Sequence, residues 1–176
     1  MKDSGTESKQ AGCSRRHLNT RYKSVMIFLP VSINITDKNI LIIGGGRIAG
    51  HKIGFLEQFT RNITVVAPEI SDLIRTRGYS FKEKTYEKSD LDGAFLVYAC
   101  TNIRELNLRV KTDSESLGIL VNVVDNPRLC DFISPAIYSK DHITVAVGSN
   151  GQDVRKSIAI RNKIKEFLEN DRTIFI

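Results

Sequence analysis

Asn39–Gly50 reads NILIIGGGRIAG, and the fold follows from how that stretch divides. Asn39–Ile43 is a short apolar run with β-branched content, suited to a strand buried on both faces. Gly44 ends it. From Arg47 to Thr60 the apolar residues Ile48, Ala49, Ile53, Leu56 and Phe59 recur close to helical period. A strand that turns through glycines directly into a helix satisfies G-x-G-x-x-G/A over Gly44-Gly45-Gly46-Arg47-Ile48-Ala49. In that pattern Gly44 permits the tight turn, Gly46 lets the backbone approach a pyrophosphate, and Ala49 lets the helix lie close to the sheet. The helix N-terminus adds unpaired N–H groups and a partial positive charge, which together suit an anion.

Working outward, the same alternation continues. Ile63–Ala67 (ITVVA) is strand-like, Ile70–Arg77 reads as a helix closed by Gly78, and Tyr79–Lys84 suits a short strand. Ala94–Ala99 (AFLVYA) is another apolar run, Asn102–Leu117 a long helix closed by Gly118, and Ile119–Val124 (ILVNVV) a further strand. The class is α/β, a Rossmann-like parallel sheet with helices on both faces. Glu69 lies 20 residues beyond Ala49. A carboxylate there can accept hydrogen bonds from the adenosine ribose and so favours NAD over NADP.

The chain changes character near residue 135. Pro127 and Pro135 punctuate a loop, His142–Val147 alternates like a strand, and a helix is expected from about Asp153 to Asn170. This small α+β piece has few internal partners and needs another surface to cover its apolar side. The expected organisation is a disordered basic tail over 1–24, an NAD-binding Rossmann domain over 25–135, and a dimerisation and substrate segment over 136–176.

Charge and cysteine content narrow the function classes. The chain of 176 residues has a net charge of +6. Residues 1–25 hold six basic and two acidic side chains, so four of the six net charges sit in the tail. The basic residues there are scattered, as in a solvated tail, and no later helix is lined by Arg and Lys; nucleic acid is not an expected partner. No run approaches a membrane span, and residues 1–24 lack the apolar core of a secretory signal. Cys13, Cys100 and Cys130 are odd in number and far apart, which points to a reducing, cytoplasmic setting. Neither His51 nor His142 has a metal-ligand neighbour at useful spacing, so no bound structural metal is expected.

Several stretches beyond the glycines share one pattern. Ile27-Phe28-Leu29-Pro30 precedes the first strand, and His51-Lys52 follow the fingerprint. Val65-Val66-Ala67-Pro68-Glu69, Ala99-Cys100-Thr101-Asn102 with Asn107, and Asn122-Val123-Val124-Asp125-Asn126-Pro127 follow in turn, with Cys130, Phe132, Ile133, Pro135 and Ala136 behind them. Over about residues 27–170 this resembles the precorrin-2 dehydrogenases, the dehydrogenase module of sirohaem synthases.

The resemblance implies that precorrin-2 loses a hydride to NAD and a proton to a base or water, giving sirohydrochlorin. It also implies a homodimer interlocked through the segment after the nucleotide domain. Some members of the family insert ferrous iron as a second substrate, and for this chain that step stays open. Asp125 matches the family's catalytic aspartate. It follows the C-terminal end of a strand, where open α/β sheets bind ligands, and a carboxylate there can take a proton. Asp-Asn-Pro is also a good turn sequence. By the same resemblance Arg47 and Ile48 contact the cofactor through their backbone, Pro68 and Glu69 border the adenosine, and Thr101 and Asn102 lie on the nicotinamide side. Helix capping is the competing reading for the last two.

The chain departs from the family before its last helix, where Asp153 and Val154 stand in place of Ser-Pro. No methyltransferase module is expected within these 176 residues. The substrate bears many carboxylates, and Arg128, Lys140, Arg155, Lys156 and Arg161, all after Asp125, are candidates to meet them. The alternative function is an NAD(H)-sensing regulatory Rossmann module without catalysis, which would have no need of an acid at 125.

Overall fold

The computed structural model describes residues 26–124 and 126–171. The tail expected over 1–24 and the candidate Asp125 both lie outside the described residues.

Five parallel strands form one sheet in the order β3-β2-β1-β4-β5. They are β1 (Asn39–Ile43), β2 (Ile63–Ala67), β3 (Ser80–Glu83), β4 (Ala94–Ala99) and β5 (Leu120–Val123). Three helices connect them: α1 (Arg47–Leu56), the single turn α2 (Asp72–Arg75), and α3 (Arg104–Ser116). Successive side chains of a strand point to opposite faces, and both faces are covered. Ile40, Ile42, Val65 and Tyr98 pack with Ala49, Ile53 and Leu56 of α1 and Ile74 of α2. Leu41, Ile43, Val66, Val97 and Val121 pack with Val110 of α3. This is why β1 can be apolar at every position from Ile40 to Ile43 and why those four residues are almost wholly buried.

The strands expected at Asn39–Ile43, Ile63–Ala67 and Ala94–Ala99 have those bounds. α2 is shorter than the helix read over Ile70–Arg77. Residues 69–71 are instead held against the β1–α1 turn, where the Ser71 N–H donates to Gly45 O at 2.9 Å. Gly78 and Gly118, at φ +72° and +68°, stand where the two helix stops were expected.

After β5 the chain leaves the sheet. β6 (Ala136–Lys140) and β7 (Ile143–Val147) form an antiparallel hairpin, and α4 (Val154–Asn170) packs on it. β6 was not read from the sequence. AIYSK carries a weak pattern, and the strand owes its existence to pairing with β7 through a turn at Asp141, whose φ is +52°. Arg161 of α4 donates from Nη1 to the Ile137 carbonyl at 2.5 Å and so pins the helix to β6. Val154, Ile158, Ile160 and Phe167 of α4 remain exposed.

The outer edge of β5 is closed by side chains. Asp131 Oδ2 accepts from the Val121 N–H at 3.0 Å, while its Oδ1 takes the ammonium of the buried Lys111 at 2.6 Å. Cys130 Sγ accepts from the Val123 N–H and donates to the Val123 carbonyl, both at 3.2 Å. The segment after β5 therefore takes the place of a sixth strand and fixes how the chain leaves the sheet. Asp131→Ala should destabilise the fold by about 1–3 kcal/mol, because it strands a backbone donor and removes one of the two carboxylates paired with Lys111. Urea unfolding of the variant checks this; an unchanged midpoint would mean that water replaces the carboxylate at no cost.

Candidate active site

In a sheet of this order, β1 and β4 are the neighbours at which the chain reverses its winding, and ligands bind beyond their C-terminal ends. The three glycines do three different things there. Gly44 sits at φ +124°, and a Cβ on it would lie 2.7 Å from the Cys100 carbonyl oxygen. A Cβ on Gly45 would lie 1.9 Å from the Glu69 carbonyl oxygen, so this residue lets the β2–α2 loop cross the turn. A Cβ on Gly46 would meet nothing within 4 Å. The open side of the turn is therefore at Gly46, the N-cap of α1, and no side chain caps that helix. Bare N–H groups at a helix N-terminus beside open space suit the pyrophosphate of a dinucleotide.

The other residues expected at the cofactor fall along the same edge. Arg47 and Ile48 open α1, with Ala49 buried under it. Pro68 and Glu69 are exposed just past the end of β2. Thr101 and Asn102 follow β4, and Asn102 is exposed. Thr101 is held by the buried Asn107: its Oγ1 donates to Asn107 Oδ1 at 2.7 Å, and Asn107 Nδ2 donates back to the Thr101 carbonyl at 2.9 Å. Thr101 Oγ1 also accepts from the Ile103 N–H at 3.1 Å, a local turn; the N-cap of α3 is Ile103 and no side chain caps that helix, so neither Thr101 nor Asn102 is the expected helix cap. Thr101 still borders the end of the strand.

A second feature lies behind the end of β5. A half-open cavity of about 330 Å³ is lined by residues of β5, the 127–136 segment, Lys52 of α1, and the turn between β7 and α4. Lys52 Nζ donates to Ser134 Oγ at 3.3 Å and lies 5.3 Å from the centre of the Tyr98 ring. The Tyr98 hydroxyl is 3.4 Å from the same Ser134 oxygen. Burial, partly offset by the Ser134 hydrogen bond, pushes the Tyr98 hydroxyl up to about 12, so it is neutral at physiological pH. Burial likewise pushes the Cys130 thiol up, which keeps it a thiol and a hydrogen-bonding group. Lys52 and Asn122 belong to the stretches that carried the resemblance, but sequence reasoning gave them no role. Their meeting depends on which face of β5 Asn122 occupies.

Of the basic residues considered for substrate carboxylates, Arg128, Arg155 and Lys156 are exposed, next in sequence to the lining residues Pro127, Val154 and Ser157, whereas Arg161 is engaged with β6. The departure at Asp153 has a local explanation. Its carboxylate caps α4, Oδ1 accepting from the Lys156 N–H at 2.8 Å. Among the described residues no group of three His, Cys, Asp or Glu side chains is placed to hold a metal ion. No helix among them is long and apolar enough to cross a membrane.

Residues 31–136 match the family model NAD_binding_7, described as "Putative NAD(P)-binding". The siroheme synthase of Pseudomonas fluorescens (strain SBW25) is 35% identical over 147 residues, covering 81% of this chain and 32% of its own length. That of Ectopseudomonas mendocina (strain ymp) is 39% identical over 145 residues, 81% of this chain and 31% of its own. The chain thus spans about a third of the length of the curated relatives it matches. Among solved structures, "SirC, precorrin-2 dehydrogenase" superposes with a TM-score of 0.65 at 29% identity, covering 80% of this chain and 69% of its own.

Proposed function

The chain belongs to the NAD(P)-binding family NAD_binding_7, and from that premise we propose that it is an oxidoreductase that converts precorrin-2 to sirohydrochlorin with NAD. The reading is carried by the likeness to SirC, which takes in 80% of the chain and so reaches past the residues 31–136 matched by the family model. The siroheme synthases point the same way.

The fit to NAD rests on the open side of the turn at Gly46 and the uncapped start of α1. The backbone of Gly46, Arg47 and Ile48 holds the pyrophosphate, Pro68 and Glu69 border the adenosine, and Thr101 and Asn102 flank the nicotinamide side. Glu69, accepting from the ribose hydroxyls, sets the preference for NAD over NADP. NAD supplies the hydride acceptor. Asp125, between Val124 and Asn126 at the end of β5, takes the proton that leaves with the hydride, so the substrate gives up one hydride and one proton in all. Arg128, Arg155 and Lys156 meet carboxylates at the rim of the macrocycle.

The exposed apolar residues of α4 support a homodimer formed through residues 136–176. The compartment is the cytoplasm, with no nucleic-acid or membrane partner. Anaerobic turnover of precorrin-2 with NAD tests the reading directly.

A further inference from the structure

Helical spacing places Arg47 on a particular side of α1. Residues 47, 50 and 54 stand at i, i+3 and i+7 and so form one stripe. The two glycines show what that stripe faces. A Cβ on Gly50 would lie 2.7 Å from Leu73 Cδ2 of α2, and one on Gly54 would lie 3.5 Å from Arg77 Nη1, just past α2. Arg47, one turn nearer the N-terminus of α1, is therefore on the side of the β2–α2 loop. That loop crosses the glycine turn where the Glu69 carbonyl passes Gly45. This is the side proposed for the adenosine ribose, away from β4 and the nicotinamide.

The other arginines around α1 and α2 are engaged. Arg75 pairs with Glu83 and donates from Nε to the Ile70 carbonyl at 3.0 Å. Arg77 pairs with Glu57 at 2.6 Å. Arg61 donates to the Tyr79 hydroxyl at 2.7 Å. Arg47 is exposed, and its side chain makes no hydrogen bond or ion pair among the described residues; the same holds for Glu69. Arg47 also opens a helix whose first turn contains no acid, at the end where the helix dipole is positive. The fold gives a cation nothing at this place. An uncommitted guanidinium and an uncommitted carboxylate thus flank one ribose position, and they ask for opposite things. The carboxylate suits a free 2′-hydroxyl, and the guanidinium suits a phosphate.

We propose that Arg47 receives a 2′-phosphate on the adenosine ribose, so that the site takes NADP as well as NAD. This rests on the dinucleotide reading above. Glu69 still favours NAD, because its charge repels the phosphate, and Arg47 keeps that preference small. The planar guanidinium can donate two parallel hydrogen bonds to phosphate oxygens, which a solvated carboxylate nearby does not cancel.

Calorimetric titration of the full chain with NAD and with NADP tests this, at two salt concentrations. The unchanged protein should bind NADP within about thirtyfold of NAD. Arg47→Gln should weaken NADP by about tenfold or more beyond any effect on NAD, the effect of losing one charge-assisted contact. Arg47→Lys should restore part of the difference, and the difference should shrink at high salt. Arg47→Glu separates this role from a structural one. An acid suits the first turn of a helix, so this variant should unfold at the same temperature or higher while binding NADP more weakly still. Equal weakening of NAD and NADP in Arg47→Gln would overturn the assignment, as would NADP affinity unmoved by all three substitutions. NAD binding without detectable NADP binding in the unchanged protein would overturn it and leave the NAD reading standing. Binding of neither dinucleotide would remove that reading and this assignment with it.

Discussion

Asp125→Ala should leave NAD affinity within about twofold and lower kcat for precorrin-2 oxidation by about 10²- to 10⁴-fold, the range that one positioned acid or base supplies. The chain on either side of this residue is well anchored. The Val124 N–H donates to the Ala99 carbonyl at 3.0 Å, and the Asn126 N–H donates to the Val123 carbonyl at 3.2 Å. Cys130 and Asp131 then tie the following segment back onto β5. With neighbours held in this way, the variant should keep its fold, and thermal unfolding alongside the kinetics checks that. Asp125→Asn separates the two readings of this position. Asparagine serves a turn as well as aspartate does but cannot take up a proton at neutral pH. Activity as low as that of the alanine variant would make Asp125 the base. Recovery of activity in Asp125→Asn would make it a turn residue and would favour an NAD(H)-sensing module over an enzyme.

Gly46→Val should fold with near-normal stability and lose NAD by about 10²-fold or more. Its backbone, at φ −92° and ψ −165°, is one that valine adopts readily. A side chain there meets no protein atom within 4 Å of its first carbon. It fills the space in which an anion would accept from the first amides of α1, and two charge-assisted hydrogen bonds of about 1.5–3 kcal/mol each would be lost. Gly45→Ala makes the contrast. Its methyl would overlap the Glu69 carbonyl oxygen, so the damage is to the packing of the β2–α2 loop and to stability. Calorimetry and thermal unfolding on the two variants distinguish the open side of the turn at Gly46 from its packed side at Gly45. Normal NAD binding by a folded Gly46→Val protein would move the pyrophosphate elsewhere.

Those two glycines also show what a sequence conveys. NILII and AFLVYA announced themselves as strands because the sheet is covered on both faces, so every residue that enters it can be apolar. Gly44 and Gly46 were legible from the fingerprint. Gly45 fell at a position the fingerprint leaves free, yet it sits under the tightest contact of the three because another loop crosses it. A third glycine where two suffice was the available signal. α2 was read too long for the same reason: local periodicity from Ile70 onward could not register the hydrogen bond from Ser71 to Gly45. β6 was missed because its pairing, rather than its composition, makes it a strand. Lys52, Ser134 and Asn122 come from three separate elements, and only the sheet register and the return of the chain after Pro127 place them around one cavity. Asp153 read as a loss relative to the family pattern; in the fold it gains a role as the cap of α4.

The most direct measurement is an anaerobic reaction of the full chain with enzymatically generated precorrin-2, followed by absorbance with and without NAD. Sirohydrochlorin should appear only when NAD is present, with NADH formed in step, one for each molecule of product. NAD bound at equilibrium, with precorrin-2 unchanged and no NADH formed, would contradict the assignment as a dehydrogenase.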